Sequence, residues 1–300
     1  MWSLEEETAF REDLIEKVIA TANDGDGTLS RAELGEFKYA GVTLRVIDAQ
    51  GGIWNPGNSW SIADPLRATI SINTTTSGKY LDQEVSNGLW RYDYQAGGVA
   101  GKNTKMRKAM ELQLPLLWFV QQENGRYLPY RVFIVEDFPD KGFCLISPDL
   151  SLTHALRSES LIERKYAERT IKQRLHQPAF RARVIGAYET RCAICHLRHG
   201  RLLDAAHITA DGDEDSSTSV TNGLSLCKIH HATYDANIIG IDSAYKVHVR
   251  SDILKETDGP MLLHGIQEMD QRDLWVPRRD TEQPDTVRLG KRFEFFLDNS

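Results

Sequence analysis

The apolar positions of this chain change period twice, and the changes divide it. Over residues 3–20, Leu4, Phe10, Leu14, Val18 and Ile19 fall roughly on one side of a helical wheel, which predicts an amphipathic helix. From Gly41 to about Ser147 the texture becomes short β-branched and aromatic runs: VTLRVID, RATISINT, GLWRYDYQ, LPLLWFVQQ and YRVFIVED, with Gly, Asn and Pro between them. These read as strands, and GKNTKMRKAMELQ among them reads as a single helix. Many strands with one or two helices predict a compact, partly closed β-barrel. Residues 151–190 return to helical periodicity in ESLIERKYAERTIKQRLHQ and AFRARVIGAYET, with an interruption expected at Pro178. Further on, SLCKIHHATYD reads as a helix, NIIGID and YKVHVRS as short strands, and TVRLGKRFEFFL as a terminal amphipathic helix. The expected class is α+β. The expected organisation is a β-domain over 1–150, a basic helical connector over 151–190 and a third region over 191–300.

Composition adds limits. The chain has 300 residues, 41% hydrophobic and 26% charged, enough for two ordinary domains with real cores. No apolar run reaches the ~18–20 residues that a membrane span needs. The acidic start MWSLEEETAF lacks the order of a signal peptide, so a cytoplasmic protein without a membrane partner is expected. Net charge is −7, so nucleic-acid binding would need a local patch. Residues 157–201 supply one, with eleven basic against four acidic residues. Its centre comprises Arg164, Lys165, Arg169, Lys172, Arg174, Arg181 and Arg183.

The segment ANDGDGTLSRAEL places Asp24, Asp26, Gly27 and Glu33 at calcium-loop positions, but Ala22 stands where the first ligand belongs. The better reading is a capping box, Ser30 with Glu33, that starts a helix. Between Cys192 and His230 the signal is sharper. Cys192 and Cys195 form C-x2-C, and Cys227 and His230 form C-x2-H. Zn²⁺ takes four tetrahedral thiolate or imidazole ligands, and two knuckles of this spacing supply them. Cys144 is distant in sequence, and His196 is too close to Cys195 for a relaxed site, although His196 and His199 remain alternatives to His230. The adjacent His231 needs another role, because neighbouring helical residues point ~100° apart. Asp235 lies four residues on and shares its face.

AHI with His207, NGLSL with Asn222, and HHATYD with His231 are nested between these knuckles, flanked by YETRCAIC and IIGID. Over about fifty residues this order resembles the HNH nuclease family. The resemblance implies a zinc-stabilised ββα-metal fold, a β-hairpin and one helix gripping a divalent ion. It implies that His207 is the general base and that Asn222 orients the loop or the histidine. His231 and Asp235 would hold the ion, with Asp204 a further candidate. Phosphodiester hydrolysis asks for such a set: a base active near neutral pH and a cation for the developing charge. Mg²⁺ or Mn²⁺ suits carboxylate and water ligands. One departure is clear: many members carry Asp or His immediately before the base, and here Ala206 stands there. The acidic stretch DGDEDSS, 211–217, reads as a solvated loop.

Within the β-rich region, KYLDQEVSNGLWRYDYQAGG followed by Asn103 and MRKAMELQLPL resembles the SRA (YDG) family of PUA-like domains. Tyr80, Asp82, Gly88, Tyr92, Gly97, Gly98 and Asn103 carry the match, and the sequence before Tyr80 departs from the family. The resemblance implies a reader of modified cytosine that flips the base into an aromatic pocket. Pocket candidates are Tyr80, Asp82, Trp90, Tyr92, Tyr94 and Asn103. Together the two resemblances imply a modification-dependent, type IV-like restriction endonuclease on double-stranded DNA, for instance DNA carrying 5-methylcytosine. Zn²⁺ would be structural and Mg²⁺ or Mn²⁺ catalytic. One ββα-metal centre cuts one strand, so a homodimer is expected. The alternatives are an HNH endonuclease for unmodified sequence and a non-catalytic, zinc-stabilised DNA-binding protein. His207, Asn222 and His231 argue against the latter, since a knuckle alone needs none of them.

Overall fold

The computed structural model describes residues 3–48, 51–54, 68–76, 83–84, 89–95, 101–150, 161–209 and 219–298. They form two compact units. The first comprises Met1–Ala22 with Thr28–Pro178, and the second Asn23–Gly27 with Ala179–Ser300.

In the first unit, helix α1 (Leu4–Asn23) opens with Ser3 and Glu6 bonded reciprocally: Glu6 N–H donates to Ser3 Oγ at 3.1 Å and Ser3 N–H to Glu6 Oε2 at 2.7 Å. Helix α2 (Arg31–Gly35) has the expected capping box of Ser30 and Glu33. Strands β1 (Phe37–Tyr39) and β2 (Val42–Leu44) form a hairpin. Then come β3 (Ile53–Trp54), β4 (Ser71–Thr74), β5 (Gln83–Glu84), β6 (Trp90–Asp93), helix α3 (Asn103–Glu111), β7 (Leu116–Gln121), β8 (Tyr127–Phe138) and β9 (Phe143–Ser147). Seven of these strands make one sheet in the order β3-β4-β7-β8-β9-β6-β5, with β4 and β7 parallel and the other pairs antiparallel. Strand β8 runs through the middle: its first half pairs with β7, its second with β9, and the register shifts between Ile134 and Glu136. Such a bulge bends a strand and raises the local twist. Among the described residues the sheet ends at β3 and β5, and closure into the expected barrel is not seen.

The α1 face of Leu14, Ile15, Val18 and Ala22 is buried against Leu34, Phe37, Ile47, Leu117 and Phe119, whereas Leu4 is exposed. One polar residue belongs to this packing. Arg11, 1% exposed, pairs with Glu7 at 2.7 Å and donates to the carbonyls of Thr69, Ala68 and Pro115 at 2.5, 3.1 and 3.2 Å. Three carbonyls from two separate segments thus converge on one guanidinium, whose fixed donor fork suits that geometry.

Helix α4 (Leu161–Ala187) runs through Pro178, where an interruption was expected, and its residues from Ala179 on belong to the second unit. Proline costs a helix one donor and crowds the preceding turn. Here burial beyond it supports continuation, because Phe180, Val184 and Ile185 all enter the core. Strands β10 (Leu203–His207) and β11 (Gly223–Cys227) form an antiparallel hairpin with Leu203 opposite Cys227 and His207 opposite Gly223. Helix α5 (Lys228–Asp235) follows directly. A second hairpin, β12 (Ile239–Ile241) with β13 (Val247–Val249), then helices α6 (Pro260–Gly265) and α7 (Thr286–Asp298), complete the unit. Two glycines permit close packing. A Cβ on Gly223 would stand 2.4 Å from Val184 Cγ2 and 2.9 Å from the Phe180 ring; one on Gly240 would stand 2.5 Å from the Phe296 ring.

Arg11→Met leaves the buried Glu7 carboxylate without its partner. The expected loss is about 3–5 kcal/mol of unfolding free energy, measured by denaturant titration, with partial recovery on adding Glu7→Gln.

Candidate functional site

The β10–β11 hairpin and helix α5 carry the chemistry of the second unit. Cys227 closes β11 and sits at the N-cap of α5, so its thiol and the first helical turn share one corner. The Cys192–Cys195 turn reaches the same corner: Cys192 N–H donates to the Leu197 carbonyl at 2.9 Å, and Ala193 N–H to the Ser225 carbonyl at 2.7 Å. His196 takes a left-handed conformation (φ 64°) to complete the turn. As a result one ligand atom from each of Cys192, Cys195, Cys227 and His230 lies within 4.8 Å of the others. His196 and His199, the alternatives, are exposed.

The spacing can be tested against an ion. A tetrahedral Zn²⁺ with ~2.3 Å bonds to sulfur and ~2.0–2.1 Å to nitrogen separates two sulfurs by roughly 3.8 Å and sulfur from nitrogen by roughly 3.5 Å. The Cys195–Cys227 sulfurs are 3.9 Å apart, and His230 Nδ1 stands 3.5 Å from the Cys192 sulfur and 3.3 Å from that of Cys227. On the far side of the ring, His230 Nε2 is 2.8 Å from the Gly265 carbonyl. A carbonyl only accepts, so Nε2 carries a proton and Nδ1 is the nitrogen turned to the sulfurs, the one left to coordinate an ion. Without an ion the four groups divide their protons unequally. Hydrogen bonds from Cys192 and Cys195 hold the Cys227 thiol far below its ordinary value. Its bonds to Cys195 and Cys227, with burial, push Cys192 up. Burial pulls His230 down, but the Cys192 and Cys227 sulfurs outweigh it and raise its pKa to about 10. The residues present fit Zn²⁺.

One residue further along α5, His231 points elsewhere. Its Nε2 is 3.3 Å from Asp235 Oδ2, and its Nδ1 is 3.5 Å from Asp204 Oδ2 on β10. Lys228 holds both oxygens of the same Asp204, at 2.6 and 2.7 Å. The structure therefore places Asp204 and Asp235 each beside His231, but at different ring nitrogens. Ala206 shares the strand face of Asp204 and is fully buried.

His207 occupies the opposite face of β10. Its ring stacks on Phe180 of α4, with centroids 4.0 Å apart and planes 11° from parallel. Gly223, directly across the hairpin, leaves the room Phe180 needs. Asn222 is fully buried and clamps the chain leaving β10: Thr209 N–H donates to its Oδ1 at 2.9 Å, its Nδ2 donates to the Thr209 carbonyl at 3.3 Å, and Ile208 N–H donates to the Asn222 backbone carbonyl at 2.9 Å. At the other end of α5, Arg292 donates to the Tyr234 carbonyl at 2.8 Å, which also accepts from Asn237 N–H at 3.2 Å, and to Asn237 Oδ1 at 2.6 Å. Sequence reasoning missed Phe180, Lys228, Gly265 and Arg292. Only Gly223, in NGLSL, carried a signal toward the first of them.

The remaining candidates divide. Arg181 is half-buried and committed internally, donating to Asn23 Oδ1 at 3.2 Å and to the Gly200 and Leu203 carbonyls at 2.7 and 3.1 Å. Burial lowers its pKa. That use removes it from the set available to phosphate. Arg183 is exposed. The side chains of Arg164, Lys165, Arg169, Lys172 and Arg174 lie outside the described residues, as do the acidic stretch 211–217 and Gly88, Gly97 and Gly98. In the first unit, Tyr92 is buried and donates to the Gly52 carbonyl at 3.0 Å. Tyr94 is bonded to Asp137, which pairs with Arg107 at 2.8 Å; burial and the Asp137 carboxylate push its hydroxyl up to about 12. Asn103 is buried in an exchange of hydrogen bonds with Gln95. Trp90 is half-buried beside Trp118, with centroids 5.1 Å apart, and its buried Nε1 has no hydrogen-bond partner among the described residues. Tyr80 and Asp82 lie outside the described residues. Among the described helices none is long and apolar enough to cross a membrane.

Residues 192–242 match the family model HNH_2, described as HNH endonuclease. Among solved structures, the modification-dependent TagI restriction endonuclease is similar over 90% of this chain and 91% of its own, at 15% identity and a TM-score of 0.32. An SRA domain of SUVH5 in complex with methylated CHH DNA is similar over 41% of this chain and 83% of its own, at 16% identity and a TM-score of 0.27. The type IV phosphorothioation-dependent restriction endonuclease ScoMcrA is similar over 54% of this chain and 48% of its own, at 14% identity and a TM-score of 0.21. No curated protein matches the sequence.

Two outcomes are expected of this site. Chelation, or Cys227→Ser, removes a tie of ~10 kcal/mol or more, comparable to the whole stability of a domain; hydrogen exchange then shows the amides of β10, β11 and α5 losing protection while those of β7 and β8 keep theirs. Gly223→Ala forces a methyl against Val184 and Phe180 and costs about 1–3 kcal/mol in a thermal or denaturant melt.

Proposed function

We propose that residues 179–300 carry a cation-dependent DNA endonuclease and that residues 1–150 choose the DNA it cuts. The observation that carries this reading is the placement of His231 between Asp204 and Asp235, one residue along from the Cys192, Cys195, Cys227 and His230 cluster. One imidazole then belongs to a structural zinc site and its neighbour to a site with oxygen ligands. Asp204 and His231 through Nδ1, joined by Asp235 once its exposed carboxylate swings away from Nε2, would hold a divalent cation, Mg²⁺ or Mn²⁺, which when bound stabilises charge developing on the phosphate and the leaving oxygen.

His207 is the general base. It takes a proton from water, the water oxygen bonds to phosphorus, and the bond to the leaving sugar oxygen breaks; that oxygen is protonated from solvent. Stacking on Phe180 fixes the plane of the imidazole, and the Asn222 clamp on Thr209 fixes the chain that follows it. Both reduce the motion a base must lose before reaction. Arg183 and the basic residues before it on α4 neutralise backbone phosphates, so affinity falls steeply with salt.

The first unit serves as reader of a modified cytosine, as in type IV restriction, and a homodimer places one centre on each strand. A second reading, recognition of unmodified sequence, is favoured by one observation: Tyr92, Tyr94 and Asn103 spend their polar groups inside the fold, which leaves Trp90 as the described pocket candidate with an uncommitted donor.

One plasmid, prepared unmodified and with 5-methyl- or 5-hydroxymethylcytosine, separates the readings. His207→Ala is expected to lower cleavage in Mg²⁺ or Mn²⁺ by 10² or more, on the order of what general-base catalysis contributes, with DNA binding in a gel-shift unchanged. Cutting confined to modified plasmid supports the reader; equal cutting of all forms removes it and keeps the nuclease. Persistent cleavage by His207→Ala would remove His207 as the base.

A further inference from the structure

The proposed cation site holds a charge that the nuclease reading does not use. Lys228 is the first residue of α5 and is 56% exposed, while Asp204 is 28% exposed. An ammonium in the first turn of a helix sits at the end where the macrodipole disfavours it. Helix preference therefore does not explain its position; the Asp204 carboxylate does. The ammonium spans both oxygens, at 2.6 and 2.7 Å. Of these, Oδ2 is also the oxygen that faces His231 Nδ1, at 3.5 Å. A cation bridging Asp204 and His231 must use that oxygen, and Lys228 already occupies it. Lysine suits such a role: its stem is flexible and its head a compact, strongly hydrated point charge that can withdraw to solvent.

Resting on the cation site proposed above, we propose that Lys228 is an internal counter-ion that competes with the divalent cation for Asp204 and so sets the concentration at which the site loads. Without the ion, Lys228 neutralises Asp204 and keeps its carboxylate beside His231. Loading the ion displaces the ammonium from Oδ2. Lys228 is a positioning residue, since it acts on the ion through Asp204.

The test is Mn²⁺ binding to the zinc-loaded full chain, followed by calorimetry or electron paramagnetic resonance and needing no DNA. Lys228→Met is expected to tighten Mn²⁺ binding by about two- to fivefold, the worth of an exposed ion pair, and Lys228→Arg to stay near the parent value. Added to Asp204→Asn, Lys228→Met is expected to change nothing. Unchanged or weaker binding by Lys228→Met overturns the proposal, as does an equal gain in the Asp204→Asn background, which would make Lys228 only a distant like charge. Where Asp204→Asn binds too weakly to titrate, the ammonium resonance of Lys228 decides: Mg²⁺ should move it toward that of free lysine, and a resonance that stays put overturns the proposal. If neither Asp204→Asn nor His231→Ala weakens Mn²⁺ binding, the failure belongs to the cation site itself and not to Lys228.

Discussion

Helix α5 is eight residues long, too short to persist by its own hydrogen bonds. Its existence depends on what grips its two ends. At the N-terminal end, His230 Nδ1 faces the sulfurs of Cys192 and Cys227 while its other nitrogen is held by the Gly265 carbonyl. At the C-terminal end, Arg292 takes the Tyr234 carbonyl. Remove the first grip and His231 has no fixed direction. The cysteine cluster is thus the constraint on which the placement of every proposed catalytic group on α5 rests.

The same hairpin then presents two chemistries on two faces. Asp204 looks toward α5 and meets His231 and Lys228. His207, three residues on and on the opposite face, meets Phe180. The faces differ because a strand alternates its side chains, and Gly223 across from His207 lets α4 approach closely enough to stack. Precision comes from packing on secondary-structure elements, which hold a side chain better than a loop does.

What was legible in the sequence follows a physical rule. The knuckle cysteines, His230 and the capping box at Ser30 have their partners at short spacing or in repeated motifs, so pattern alone placed them. The separation of His230 from His231 followed from helical geometry. Partners far apart in sequence were not legible: Phe180 for His207, Lys228 for Asp204, and the carbonyls around Arg11, up to 104 residues away. Each depends on a register or packing angle that no local pattern encodes. Pro178 was misjudged for a related reason, since the apolar residues that keep α4 helical beyond it act through the core. Arg181 was read as a phosphate contact because burial is invisible to a charge run. Strand composition likewise pointed to β structure between Gly41 and Ser147 without specifying how the sheet ends.

The most direct test of the central claim, that adjacent histidines serve two different ions, is anomalous X-ray scattering. Crystals of the zinc-loaded chain, soaked in Mn²⁺, would be measured at the zinc edge and at a wavelength where manganese dominates. The account predicts a zinc peak among Cys192, Cys195, Cys227 and His230 and a separate manganese peak bounded by Asp204, His231 and Asp235. Zinc alone, or manganese held by groups that exclude His231, would contradict it.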